Sequence, residues 1–271
     1  MTFNLIFKRS PAMHSQRFRS LSSTVLLLTS VALPGVISAQ GGGAAAPAGR
    51  GGGAPQQAAA PATQAVQPNA QFLARHEGFL EIARGGNIDL LWVGDSITDW
   101  WVRSPAIWDR YFASLRPANF GIAGDTTQGV LWRMQNGELA GFQAKLIVLM
   151  LGTNNINRNP NAEIADGVRA IVQEFRTRQP QAKVLVLGVF PRGVLADNPF
   201  RASVREINEN LARLDDGQNV FYMDIGDRFL APDGTLPADI MPDALHPNTN
   251  GYQIWAEAVH GRVLELMGVS Q

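Results

Sequence analysis

Leu146-Ile147-Val148-Leu149-Met150-Leu151 runs straight into Gly152-Thr153-Asn154-Asn155: six apolar residues without a polar interruption, then a polar turn. A strand wetted on one face alternates apolar and polar side chains. This one is apolar on both faces, as in a parallel strand with helices on each side. On either side of it, similar short runs stand at residues 88–93, 118–122, 183–190 and 220–225. Segments with helical spacing separate them at 127–136, 162–178, 201–214 and 249–267. A leading amphipathic helix is carried by Phe72, Leu73, Phe79, Leu80 and Ala83 and stops at Gly85-Gly86. Strand-then-helix repetition predicts an α/β fold, a doubly wound sheet of about five parallel strands. Sites in such sheets lie beyond the carboxyl ends of the strands, where strand order reverses. The polar ends of the runs are therefore where chemistry is sought.

Four blocks stand at such positions. Gly94-Asp95-Ser96 follows the first strand, and Ser96 would open the next helix with its N–H facing the site. Alone this block reads first as a turn and helix cap. Gly121 to Asp125 follows the second strand; Gly124 could lend an N–H to an oxyanion, or simply make a turn before a helix. The spacing is not that of a dinucleotide-binding loop. Gly152-Thr153-Asn154-Asn155 offers a side-chain amide as a second donor, or an ordinary turn. Asp243-Ala244-Leu245-His246, between Pro242 and Pro247, can fold back so that the carboxylate takes the Nδ1 proton and Nε2 faces the serine. A structural Asp–His contact is the other reading. Taken together the blocks supply a hydroxyl, a base and an anion to orient the base, the set that a serine nucleophile requires.

In this order and register the blocks resemble those of the SGNH hydrolases, the GDSL esterase/lipase family. Gly94-Asp95-Ser96-Ile97 matches the first block with Ile97 in place of leucine, Gly124 the glycine block, Gly152 to Asn155 the asparagine block, and Asp243 to His246 the last. Within the family the chain is most similar to members like the catalytic subunits of platelet-activating-factor acetylhydrolase. Asn119 to Thr127, Val130-Leu131-Trp132-Arg133, Asn136-Gly137-Glu138-Leu139 and Leu187 to Gly193 carry that likeness. The resemblance implies a flavodoxin-like three-layer α/β/α sheet and a serine esterase. It assigns Ser96 as nucleophile, His246 as base and Asp243 as its orienter, with Ser96, Gly124 and Asn154 as oxyanion donors. A homodimer is implied by the resemblance alone.

Short acyl groups, acetyl first, are the expected substrates, because Ile97 and Leu245 would crowd the carbonyl from beside Ser96 and His246; Thr153 is a further substrate-lining candidate. Acetylated carbohydrate is one expected donor. Trp100, Trp101 and Trp108 would either form a sugar-stacking wall or pack the core. The alternatives are a lipase or lysophospholipase-type acylhydrolase and a non-catalytic binding protein on the same scaffold. The chain has no cysteine, and its 4 histidines are scattered, so a zinc ligand set is absent and no metal or other cofactor is expected. With 23 basic and 23 acidic residues the net charge is zero, which leaves no electrostatic footprint for nucleic acid or anionic membrane in the total.

The first third departs from the pattern. Lys8, Arg9, Arg17 and Arg19 precede a short apolar run at 21–33, and Pro34, Gly35, Ser38 and Ala39 follow, the order of a secretory signal peptide. That run is shorter than the ~20 apolar residues of a membrane span. Residues 1–39 are expected to be cleaved near Ala39, giving an exported protein, periplasmic or extracellular. Residues 40–68 are mostly Gly, Ala, Pro and Gln with one charge, Arg50, and are expected to be a disordered tether. This leaves 69–271 as one hydrolase domain, large enough to hold its own core without disulfides.

Overall fold

The computed structural model describes residues 59–270; the expected signal peptide and residues 40–58 of the expected tether lie outside them. Five parallel strands, β1 (Leu90–Gly94), β2 (Pro117–Gly121), β3 (Leu146–Met150), β4 (Lys183–Leu187) and β5 (Val220–Met223), pair in the order β2-β1-β3-β4-β5. This is the expected doubly wound α/β sheet. Its side-chain period of two divides each strand between two cores. Leu91, Val93, Ile147, Leu149, Val184 and Val186 pack on one face under α1 (Ala70–Arg84), α4 (Thr127–Arg133), α5 (Asn161–Arg178) and α6 (Pro199–Ala212). Leu90, Trp92, Leu146, Val148, Leu185 and Leu187 pack on the other under α3 (Pro105–Phe112) and α7 (Thr249–Met267). A short helix, α2 (Ser96–Asp99), leaves β1 directly. α3 was not foreseen from the sequence.

The helix ends are held by their own side chains. Asn69 caps α1 through the N–H groups of Gln71 and Phe72, and Asn248 caps α7 through those of Asn250 and Gly251. Chain order turns back between β1 and β3, so the crevice at their carboxyl ends is where this topology opens a site.

The end of the expected tether behaves differently from expectation: residues 59–68 are fastened to the domain. Ala60 O accepts from Gln128 Nε2 at 2.8 Å and Asn159 Nδ2 at 3.0 Å, and Ala62 N donates to Glu163 Oε1 at 3.2 Å. Val66 N donates to Gln128 O at 3.1 Å, and Ala62 is fully buried. Side chains on α4, on α5 and in the turn before α5 thus satisfy a segment too poor in apolar residues to show a period of its own. Among the described residues no helix is long and apolar enough to cross a membrane.

Candidate active site

Gly94 of β1 is level with Gly121 of β2 and Met150 of β3. The chain runs on from these three points into Ser96, Gly124 and Asn154, which brings three of the four sequence blocks to one end of the sheet. Asp95 caps α2 by accepting from Ile97 N at 3.0 Å, and this sets Ser96 as the first helical residue, 6% exposed. The fourth block arrives from α7. Tyr252, in its first turn, donates its hydroxyl to Ile97 O at 2.7 Å and so ties α7 to α2.

His246 sits just before the α7 cap, with Nε2 2.9 Å from Ser96 Oγ across 150 residues of sequence. Its Nδ1 is 2.6 Å from Asp243 Oδ2. Asp243 Oδ1 accepts from His246 N at 2.7 Å and Leu245 N at 3.1 Å. The fold-back needs a sharp turn: Ala244 lies in the left-handed region at φ 55°, a conformation that non-glycine residues adopt at a cost. Burial works to raise the Asp243 carboxyl, but the hydrogen bonds from the His246 ring, His246 N and Leu245 N outweigh it and hold the carboxyl low. The carboxylate is therefore ionised and aligned on Nδ1, which leaves Nε2 facing the hydroxyl.

Gly124, in the turn after β2, is exposed and has φ 85°, a left-handed conformation that glycine adopts freely. Asn154 Nδ2 donates to Asp125 O at 2.9 Å, so the two proposed donors are joined through the residue after Gly124. Its neighbour Asn155 has a different task. That side chain is wholly buried and bonds Thr127 N, Thr127 Oγ1, Gln128 Oε1 and Asn159 Oδ1, fastening the β3 turn to α4. Ile97 and Thr153 are each 1% exposed, and Leu245 is partly buried against the same core as Ile97.

Three features of the site were missed in the sequence. The first is a buried charge network. Arg133, fully buried, donates Nε to Asp125 Oδ2 at 3.0 Å and Nη2 to Phe120 O at 3.1 Å, and its Nη1 pairs with Glu138. Glu138 also takes His76 Nδ1 at 2.8 Å. Burial pushes the Asp125 carboxyl up, against the pull of Arg133. The second feature is Asp95 itself, wholly buried, with Oδ2 unpartnered. The third is the contact of Trp100 with the imidazole, its ring centre 4.1 Å from that of His246. Of the three tryptophans considered as a wall, Trp101 packs against Tyr252 and Trp255, and Trp108 against Trp92 and Phe112. Trp101 is a core residue, and Trp108 is half-buried against the same core. Among the described residues no three His, Cys, Asp or Glu side chains are grouped to hold a metal ion.

Residues 92–254 match the model of the GDSL-like Lipase/Acylhydrolase family. Platelet-activating factor acetylhydrolase IB subunit alpha2 of Rattus norvegicus is 39% identical over 212 residues, 78% of this chain and 91% of the rat protein. Two solved structures share the fold. A GDSL-like lipase from Bacteroides thetaiotaomicron has a TM-score of 0.55 at 17% identity, covering 71% of this chain and 98% of its own. Axe2, an acetylxylan esterase from Geobacillus stearothermophilus, has a TM-score of 0.53 at 19% identity, covering 67% and 94%.

Proposed function

Since the chain belongs to the GDSL-like lipase/acylhydrolase family and is a carboxylic ester hydrolase, we propose that it cleaves short-chain acyl esters, acetyl first, through Ser96, His246 and Asp243. The observation that carries this reading is the 2.9 Å contact of Ser96 Oγ with His246 Nε2, together with the 2.6 Å contact of Nδ1 with Asp243. Ser96 Oγ gives its proton to Nε2 as it attacks the carbonyl carbon. The resulting oxyanion lies against the N–H groups of Ser96 and Gly124 and the amide of Asn154. On collapse the alcohol leaves with the proton from Nε2. Water then repeats the sequence on the acyl-enzyme and releases the acid. Asp243 stays ionised throughout and stabilises the imidazolium that forms between the two proton transfers.

Acetylated carbohydrate suits the reading of 1–39 as an export signal, and an acetylxylan esterase among the fold relatives makes it a sensible first screen. Ser96→Ala is the test. The variant should fold as the parent does and lose both hydrolysis of 4-nitrophenyl acetate and labelling by an organophosphate; full activity in a folded Ser96→Ala protein would refute the nucleophile. Rates on acetyl against long-chain acyl esters decide between this reading and a lipase.

A further inference from the structure

We propose that the cavity beside His246 binds an anionic group on the alcohol part of the ester, with Arg103 as its cation, so that the preferred substrates are acetylated acidic saccharides. This rests on the esterase reading above. The cavity has a volume of about 370 Å³, and Trp100, Arg103, Ser104, His246, Asn248 and Thr249 are among its walls. Arg103 Cζ lies 3.4 Å from the centre of the Trp100 ring, and the His246 ring centre lies 4.1 Å from it. Two groups so near the middle of one ring occupy its opposite faces, so the indole separates the base from a cation. It also means that Trp100 has no free face on which a sugar could stack.

Arg103 is exposed, and among the described residues it forms no ion pair. A guanidinium stacked on an aromatic face keeps its in-plane N–H groups available to a carboxylate. Ser104, 4% exposed, lines the same cavity, and its hydroxyl has no partner. The first residue of α7, Thr249, lines it too, at a helix end that favours negative charge. One carboxylate is present, that of Asp243. It is engaged by Leu245 N, His246 N and the His246 ring, which leaves Arg103 as the uncompensated charge.

The direction of the chemistry says which part of the ester reaches this place. The leaving oxygen takes its proton from His246 Nε2, so the alcohol lies on the His246 side of Ser96 and the oxyanion on the Gly124 side. No aliphatic side chain other than the prolines Pro242 and Pro247 lines the cavity, which suits a hydroxylated ring better than a lipid chain.

The test compares kcat/KM for an O-acetylated methyl glucuronoside with that for the matching O-acetylated methyl glucoside, on the full chain at low ionic strength. The wild type should favour the acid by about tenfold, the range of one charge-assisted hydrogen bond at a partly exposed site. Arg103→Gln should abolish the preference, Arg103→Lys should keep part of it, and added salt should lower it in the wild type and Arg103→Lys but not in Arg103→Gln. The same ratio in wild type and Arg103→Gln would overturn the proposal. Faster hydrolysis of a 2-acetyl glycerophospholipid than of the glucuronoside would overturn the saccharide assignment. Neutral 4-nitrophenyl acetate reads the esterase function separately, and a wild type inert to it would refute that reading first.

Discussion

Replacing Asp95 by asparagine should make the protein progressively more stable, relative to the parent, as pH rises from 4 to 8. Asp95 is wholly buried between β1 and Ser96. Burial raises its carboxyl from the ordinary 3.8 to about 7; the hydrogen bond from Ile97 N opposes this, and the nearby Asp125 charge adds to it. The unfolded chain loses the proton near 3.8, whereas the folded chain keeps it to about 7. Between those values the native state binds more protons than the unfolded state, so stability falls with rising pH. The contribution is complete below the lower value and gone above the upper one. A shift of about three pH units corresponds to about 4 kcal/mol, a large share of the 5–15 kcal/mol that holds an ordinary domain together. An amide in the same place keeps an oxygen for Ile97 N and has no charge to form. Urea unfolding of both proteins at pH 4, 6 and 8, extrapolated to water, gives the difference between them at each pH. That difference should move by about 4 kcal/mol in favour of Asp95→Asn, and groups common to both proteins cancel. A difference that stays constant across the range would show that the buried carboxyl ionises as it does in water, and the reasoning from burial would fail.

Asn154→Ala removes one proposed oxyanion donor and should lower kcat by about 10²–10³-fold with little change in KM; an unchanged kcat in steady-state assays would take Asn154 out of the site. Arg133→Met leaves Asp125 and Glu138 buried without their cation and should cost about 3–5 kcal/mol in chemical denaturation. Adding Glu138→Gln to that variant should restore part of the loss, and a single variant within 1 kcal/mol of the parent would count against the network as drawn.

The strands were legible because they are buried on both faces: each appears in the sequence as an apolar run, and all five runs became strands. Their ends were less so. The run at 183–190 continues past β4 because Val189 and Phe190 are buried beyond the last ladder pair, and hydrophobicity does not distinguish a paired residue from a merely covered one. α3 does have a signal in the sequence: Ser104-Pro105 is a helix start, and Ile107, Trp108, Tyr111 and Phe112 recur at helical spacing. The docked segment 59–68 carried none, because its partners Gln128, Asn159 and Glu163 lie far along the chain. The same holds for the site. Ser96, Gly124, Asn154, Asp243 and His246 stood out as candidates from their places at element ends, and the family resemblance gave them roles. Distance closure between Ser96 and His246, and the stack of Trp100 on the imidazole, come only from how α7 packs on α2.

Asp125 shows why some of the residues that matter most carry no chemical signature. It touches no proposed substrate atom, yet its main-chain oxygen holds the Asn154 amide and its N–H closes the turn on Ile122 O that presents Gly124. Its carboxylate is fixed in turn by Arg133 and by Thr126 N. The space it occupies exists because position 129 is glycine: a Cβ there would collide with the Asp125 carboxylate. An oxyanion site stabilises charge without reorganising only if its dipoles are already aimed before the charge appears. In the oxyanion site proposed above, that aiming would fall to a buried ionic cluster on α4 and the turn after it, supported by His76 from α1. Loss of Arg133 should therefore reach beyond stability. A folded Arg133→Met protein should show its damage in kcat, because the donors it loosens act on the transition state and not on the bound ester.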